Sequence, residues 1–541
     1  MARAGSHSVG VHNFLTESWA ESLNPRPLAG GTSSAVNGGP SLVSDDVSSR
    51  ASSASASRAR TVTANGPAPL YPTTVRSLTG VAGSAAGFGA PGAATTVPIV
   101  VNPMVSAFAE SLAERGFHAS DQGFIVEDMD GRVLAENNAD QPFNPASVTK
   151  VATSLVAISK LGSDYRFRTN FYTDGVLDPA TGILHGSLYV MGAGDPAFVT
   201  ENALLIADQL NQHGIHIVEG NLVVEGQFYF NFSASREASA KAFRAALTPD
   251  PTNFQQSSAY LRFLSMKAVG NGESGESGML FNGGASRPQS ASRAASAEQG
   301  AATAKGDARP QDDASNQSGK PSEASNVQSN QGPTTAIPAG IPYLKVQGET
   351  IAQAAMNTSN LSLLAVHTSV TLMKVLKGQN DFSNNWMATV IGELVGGPDA
   401  VDRFLETSIG LKNEEVRIVT SSGLGSNFIS PRAMAQILRK LTLYLEKQQI
   451  GLEQLLPVAG IDHGTLERRF TDAFRGAVVA KTGTLHSVSA LAGIARTRGS
   501  GPLIFVIFNH GGAPTTFRGI QDETMKKIIT PCGGPDPVRY F

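Results

Sequence analysis

Two long tracts of this chain hold too few large apolar residues to form a core, and they fix where a fold can lie. From the first residue to roughly residue 95 the sequence is built of Ser, Ala, Gly, Thr and Pro. From Gly270 to about Gly340 it is dominated by Ser, Ala, Gly, Asn and Gln, with Phe281 as its one aromatic. Such compositions bury too little apolar surface to offset the entropy of ordering the backbone, so both tracts are expected to be disordered. What lies between and after them must supply the core. With 541 residues and 41% hydrophobic content there is ample material, enough for more than one domain.

Periodicity in the remaining sequence is mixed. Val105, Phe108, Leu112 and Phe117 mark a first amphipathic helix. Two alternating runs follow, 123–128 and 132–136, separated by Met129-Asp130-Gly131, and Asp-Gly between such runs predicts a hairpin. Apolar residues Val151, Ala152, Leu155, Val156 and Ile158 predict a buried helix directly after it. Strands are expected over 167–172, 187–191 and 217–230, with a short helix at 203–212. After the second tract, helices are expected at 369–376, 384–394, 399–408 and 431–447, then strands at 477–481, 489–496 and 503–509, and a closing helix over 516–529. A hairpin and three late strands among many helices point to an α/β fold in which helices pack on an antiparallel sheet.

Bulk properties exclude several classes. The formal net charge is -3 and no basic run tracks a phosphate backbone, so nucleic acid is not an expected partner. The single Cys532 rules out an internal disulfide and a cysteine metal cluster. No apolar run reaches membrane-spanning length, and the opening residues lack the apolar segment of a secretory signal.

Chemistry concentrates in three short motifs. Ser147 and Lys150 form the only Ser-x-x-Lys in the chain, at the loop that enters the first buried helix. Residues three apart share a helix face, so the hydroxyl and the amine can meet as a nucleophile and its base. Ser383-Asn384-Asn385 precedes a helix, and Lys481-Thr482-Gly483-Thr484 ends a predicted strand. Taken singly, each has a plain structural explanation: a solvated lysine on a first helical turn, a Ser N-cap, a turn glycine. His463 and His486 invite a Ser-His-Asp scheme, but no Gly-x-Ser-x-Gly elbow is present.

Together, in this order, Ser-x-x-Lys, Ser-x-Asn and Lys-Thr-Gly are one catalytic set. With Leu161 to Phe167, Gly192-Ala193-Gly194-Asp195-Pro196, Ser422-Gly423-Leu424 and Gly464-Thr465-Leu466, the chain resembles the low-molecular-mass class C penicillin-binding proteins, the D-alanyl-D-alanine carboxypeptidase and endopeptidase family. The resemblance covers about 105–262 and 343–530. It implies a penicillin-binding, transpeptidase-like α/β fold with a central antiparallel sheet flanked by helices, plus a strand-rich inserted domain. The expected division is a disordered leader at 1–95, a catalytic domain at 96–195 and 343–541, an inserted domain at 196–268 and a low-complexity insertion at 269–342.

It also implies roles. Ser147 attacks the carbonyl between two D-alanines, Lys150 takes its proton, Ser383 relays a proton to the leaving amine, and Asn385 holds the substrate amide and the Lys150 side chain. Lys481 binds the terminal carboxylate with help from Thr482 and Thr484, beside Gly483, and the backbone N–H groups of Ser147 and Thr484 cradle the oxyanion. No metal or cofactor is implied. The implied partners are peptidoglycan peptides and, as covalent inhibitors, β-lactams, and the implied location is periplasmic or otherwise extracytoplasmic. A serine β-lactamase or esterase on the same fold, or an idle peptidoglycan-binding protein, are the alternatives. The chain departs from the family pattern at Asn384, where Asp is usual, at Thr389, and at Thr420-Ser421.

Overall fold

The computed structural model describes residues 102–249, 258–270, 340–353 and 357–539. The expected leader, and residues 271–339 of the expected low-complexity insertion, lie outside the described residues. At the centre of the catalytic unit is a five-stranded, wholly antiparallel sheet. Its spatial order is Val478–Leu485, Val488–Thr497, Gly501–His510, Gly123–Asp128, Val133–Asn137. The first two strands are joined by a tight turn at 486–487 and the last two form the Asp-Gly hairpin, so the early hairpin is completed by strands from the far end of the chain.

Alternation along the strands builds three layers. In Gly501–His510, Ile504, Val506 and Phe508 face one core together with the helices Thr149–Leu161, Leu372–Asp381, Asn385–Leu394, Pro398–Ile409 and Pro431–Glu446. Leu503, Phe505 and Ile507 face the opposite core, closed by Pro103–Ala113 and the C-terminal helix Pro514–Ile529. Strands buried on both faces read as continuous apolar runs, and helices cover both sides. The Thr149–Leu161 helix is buried through its first ten residues, which is why its apolar residues do not form a narrow stripe.

A second unit is built on another five-stranded sheet, ordered Thr350–Ala352, Leu222–Gln227, Leu188–Ala193, Arg168–Thr173, Ser362–Thr368. Its core is rich in phenylalanine: Phe171, Phe198, Phe228, Phe230 and Phe243 pack against the helices Thr200–Gln212 and Arg236–Leu247. This unit draws on residues from both sides of the 196–268 span expected of it. The chain leaves the catalytic unit after Phe167 and returns at Ser369. There the Ser369 N–H donates to the Phe167 carbonyl, and the Ser369 hydroxyl oxygen accepts from the Phe167 N–H, both at 2.9 Å. The pairing of Ser362–Thr368 with Arg168–Thr173 is what moves the boundary, a long-range contact that alternation within either strand does not announce.

Candidate active site

Ser147 sits not on the helix proper but in the tight turn Ala146–Val148 that feeds it. Asn144 sets this turn by accepting the Ala146 N–H on its side-chain oxygen at 2.9 Å, and Ala146 adopts φ +48°, a strained region for a residue with a Cβ. One residue on, the helix begins and carries Lys150 inward. Lys150 is fully buried, and its Nζ donates to Ser147 Oγ at 3.0 Å, to Asn385 Oδ1 at 2.7 Å and to the Ser422 carbonyl at 2.5 Å. Burial disfavours its charged form and brings the Lys150 pKa down to about 7.

The opposite wall of the cleft is the edge strand Val478–Leu485. Val479 points toward the helix-rich core and Ala480 away from it, so by the two-residue period Lys481 points toward Ser147. It too is fully buried. Its Nζ donates to Ser383 Oγ and to the Thr482 carbonyl, both at 2.9 Å. Burial holds the Lys481 ammonium well below the usual lysine range; repulsion from Lys150 adds to this, and Asp381 opposes it. Asp381 is raised to about 6 by burial, with Lys377 pulling the other way through an ion pair of 2.9 Å.

Ser383 lies between two helices at φ +53°. Asn384, not Ser383, caps the second of them, its Oδ1 accepting the Met387 N–H at 3.1 Å. The plain reading of Ser383 as an N-cap is therefore excluded, and its hydroxyl is left to face Lys481. The Asn384 position, which the sequence suggests is of little consequence, has a definite task as the cap, one that the usual Asp could perform equally.

Two motif glycines are places of backbone contact rather than ordinary turn residues. A Cβ on Gly423, where φ is +82°, would stand 2.0 Å from the Ala146 carbonyl oxygen. One on Gly483 would stand 2.3 Å from the Pro145 carbonyl oxygen. The Ser422-Gly423 loop and the edge strand thus close directly on the turn that carries Ser147.

The structure gathers Ser147, Lys150 and Asn385 into one hydrogen-bonded group and Ser383, Lys481 and the Thr482 carbonyl into a second, near enough that the Lys150 ammonium repels that of Lys481. Thr484 is exposed at the rim, where its Oγ1 accepts from Arg518 Nη2 at 3.2 Å. His463 pairs instead with Glu467 at 3.3 Å and is exposed, as is His486. Three participants carry no role in the sequence reading: the Ser422 carbonyl, Asp381 and Arg518. The Ser-Gly-Leu segment is the one signal that pointed toward the first. Among the described residues no group of three or more His, Cys, Asp or Glu is arranged to hold a metal ion.

Comparison with known proteins identifies the family. A family model, the D-Ala-D-Ala carboxypeptidase 3 (S13) family, matches residues 104–240 and 342–529. The D-alanyl-D-alanine carboxypeptidase of Actinomadura sp. is 25% identical over 460 residues, covering 76% of this chain and 82% of that protein. Carboxypeptidase DacB of Mycolicibacterium smegmatis is 26% identical over 231 residues; the match covers 39% of this chain and only 50% of the relative. Among solved structures, a predatory endopeptidase from Bdellovibrio bacteriovorus, acylated by penicillin G and bound to its immunity protein, shares the fold. Its TM-score is 0.57 at 18% identity, over 78% of this chain and 94% of that one. Since the matched spans exceed half of the sequence and contain all three motifs, the chain belongs to the D-Ala-D-Ala carboxypeptidase 3 (S13) family, the low-molecular-mass class C penicillin-binding proteins.

Proposed function

We propose that this protein is a serine-type D-Ala-D-Ala carboxypeptidase and endopeptidase that cleaves stem or cross-link peptides of peptidoglycan through an acyl-enzyme on Ser147. The observation that carries the reading is the 3.0 Å contact between Lys150 Nζ and Ser147 Oγ, made by a lysine that burial brings to about 7. A lysine can accept a proton near neutral pH only when its charged form is disfavoured in this way.

In the acylation step Ser147 Oγ bonds to the carbonyl carbon of the penultimate D-alanine while its proton passes to neutral Lys150. The C–N bond to the terminal residue then breaks, and the departing amine takes a proton through Ser383, which Lys481 holds at 2.9 Å. Asn385 orients Lys150 through its Oδ1 and offers its amide N–H₂ to the substrate. The backbone N–H groups of Ser147 and Thr484 are the candidate oxyanion donors. Water hydrolyses the ester and restores the hydroxyl. No step requires a metal or cofactor. A β-lactam acylates Ser147 by the same route, and action on peptidoglycan places the protein outside the cytoplasm.

Intact-protein mass spectrometry after incubation with benzylpenicillin tests the proposal. The expected result is one added β-lactam, located on Ser147 and persisting for many minutes. Rapid release would make the protein a β-lactamase, and no adduct would overturn the acyl-enzyme altogether.

A further inference from the structure

Arg518 stands on the second turn of the C-terminal helix Pro514–Ile529, exposed, on the side of the edge strand away from Ser147. Its Nη2 reaches the rim of the cleft and donates to Thr484 Oγ1 at 3.2 Å. Among the described residues no carboxylate pairs with it. Asp522, one turn further along the same helix, is taken by the buried Arg469, whose Nε donates to Asp522 Oδ1 at 2.8 Å. Arg469 also donates through Nη2 to the Arg518 carbonyl at 3.4 Å and to Gln521 Oε1 at 3.2 Å. The turn that presents Arg518 is therefore tied down, while its guanidinium has several N–H donors to spare.

Lys481, by contrast, is a poor receptor for an anion arriving at that rim. Its ammonium is fully buried and already donates to Ser383 and to the Thr482 carbonyl. A guanidinium stays charged throughout the accessible pH range and offers a planar fork that matches a carboxylate.

We propose that Arg518 is a specificity-determining residue whose guanidinium, held beside Thr484, takes the free α-carboxylate at the C-terminus of the peptide substrate. This rests on the peptidase reading above. It reassigns to Arg518 the carboxylate recognition that the sequence reading gave to Lys481, leaving Lys481 to act on Ser383.

Binding to a protein that cannot acylate separates the two readings. In a Ser147→Ala background, calorimetry compares an N-acylated peptide ending in D-alanyl-D-alanine with the same peptide carrying a C-terminal amide. The parent is expected to prefer the carboxylate. Adding Arg518→Gln should weaken the carboxylate peptide about tenfold, the scale of one partly exposed charge-assisted contact, and shift the amide less than twofold. Arg518→Lys should recover part of the loss. Equal losses on both peptides, or undiminished carboxylate binding in Arg518→Gln, would overturn the Arg518 assignment alone. Failure of the parent to bind either peptide would overturn the peptidase reading and this proposal with it.

Discussion

The helix wall and the strand wall of the cleft each bury a lysine completely, and they do so with different neighbours. On the helix side, Lys150 donates to three uncharged oxygens, those of Ser147, Asn385 and the Ser422 carbonyl, and burial alone accounts for its lowered pKa. On the strand side, Lys481 has two such acceptors and feels two charges, the opposing ammonium and the Asp381 carboxylate. Two ammonium groups in one dry cleft disfavour each other, so removing the proton from Lys150 relieves Lys481. The contrast teaches that desolvation by itself fits Lys150 for the proposed role of base, and that the repulsion between the two lysines falls on Lys481.

The comparison breaks most sharply at the nucleophile. Ser147→Ala should abolish covalent labelling by penicillin and leave the thermal transition nearly unchanged, since the half-buried hydroxyl packs no core; labelling that persists would remove Ser147 from the mechanism. Lys150→Ala should slow acylation by about 10²–10⁴-fold, measured as the second-order rate with a reporter β-lactam. A normal rate would leave the helix wall without its base.

The pH profile sharpens the difference between the walls. If the neutral amine is the base, as proposed, acylation should rise with pH through about 7 as Lys150 loses its proton, and level off above. Replacing Lys481 by Ala leaves the burial of Lys150 as the cause of its lowered pKa, so the midpoint should stay near 7 while the plateau falls. A midpoint displaced to higher pH would show that Lys481 also depresses Lys150. The smallest expected effect lies beside Ser383. Asn384→Ala loses a helix cap and should cost about 1 kcal/mol in chemical denaturation, whereas Asn384→Asp should cost little.

Much of this site was readable from residue types and spacing. The three-residue interval between Ser147 and Lys150 fixes a shared helix face. Alternation in the last three strands sends Lys481 toward that face and distributes the apolar residues between two cores. What stayed hidden was carried by the backbone or by distance. The Ser422 carbonyl has no residue-type signature, because any amino acid could supply it. The helix Arg236–Leu247 escaped notice because it buries mainly small residues with Phe243 and Leu247. Ser362–Thr368 joins the second sheet by pairing with a strand that precedes it by most of the inserted unit, and nothing local records that partner. Arg518 reads as an ordinary surface arginine until the C-terminal helix is folded behind Thr484.

The stitch between Phe167 and Ser369 bears on how such a chain can vary. Because outgoing and returning strands are fastened side by side, the pendant unit beyond them can be enlarged or trimmed, away from its Tyr229–Trp386 contact, while the span from the Thr149–Leu161 helix to Ser383 keeps its dimensions. Growth on the far side of that unit can therefore leave the frame of the cleft undisturbed.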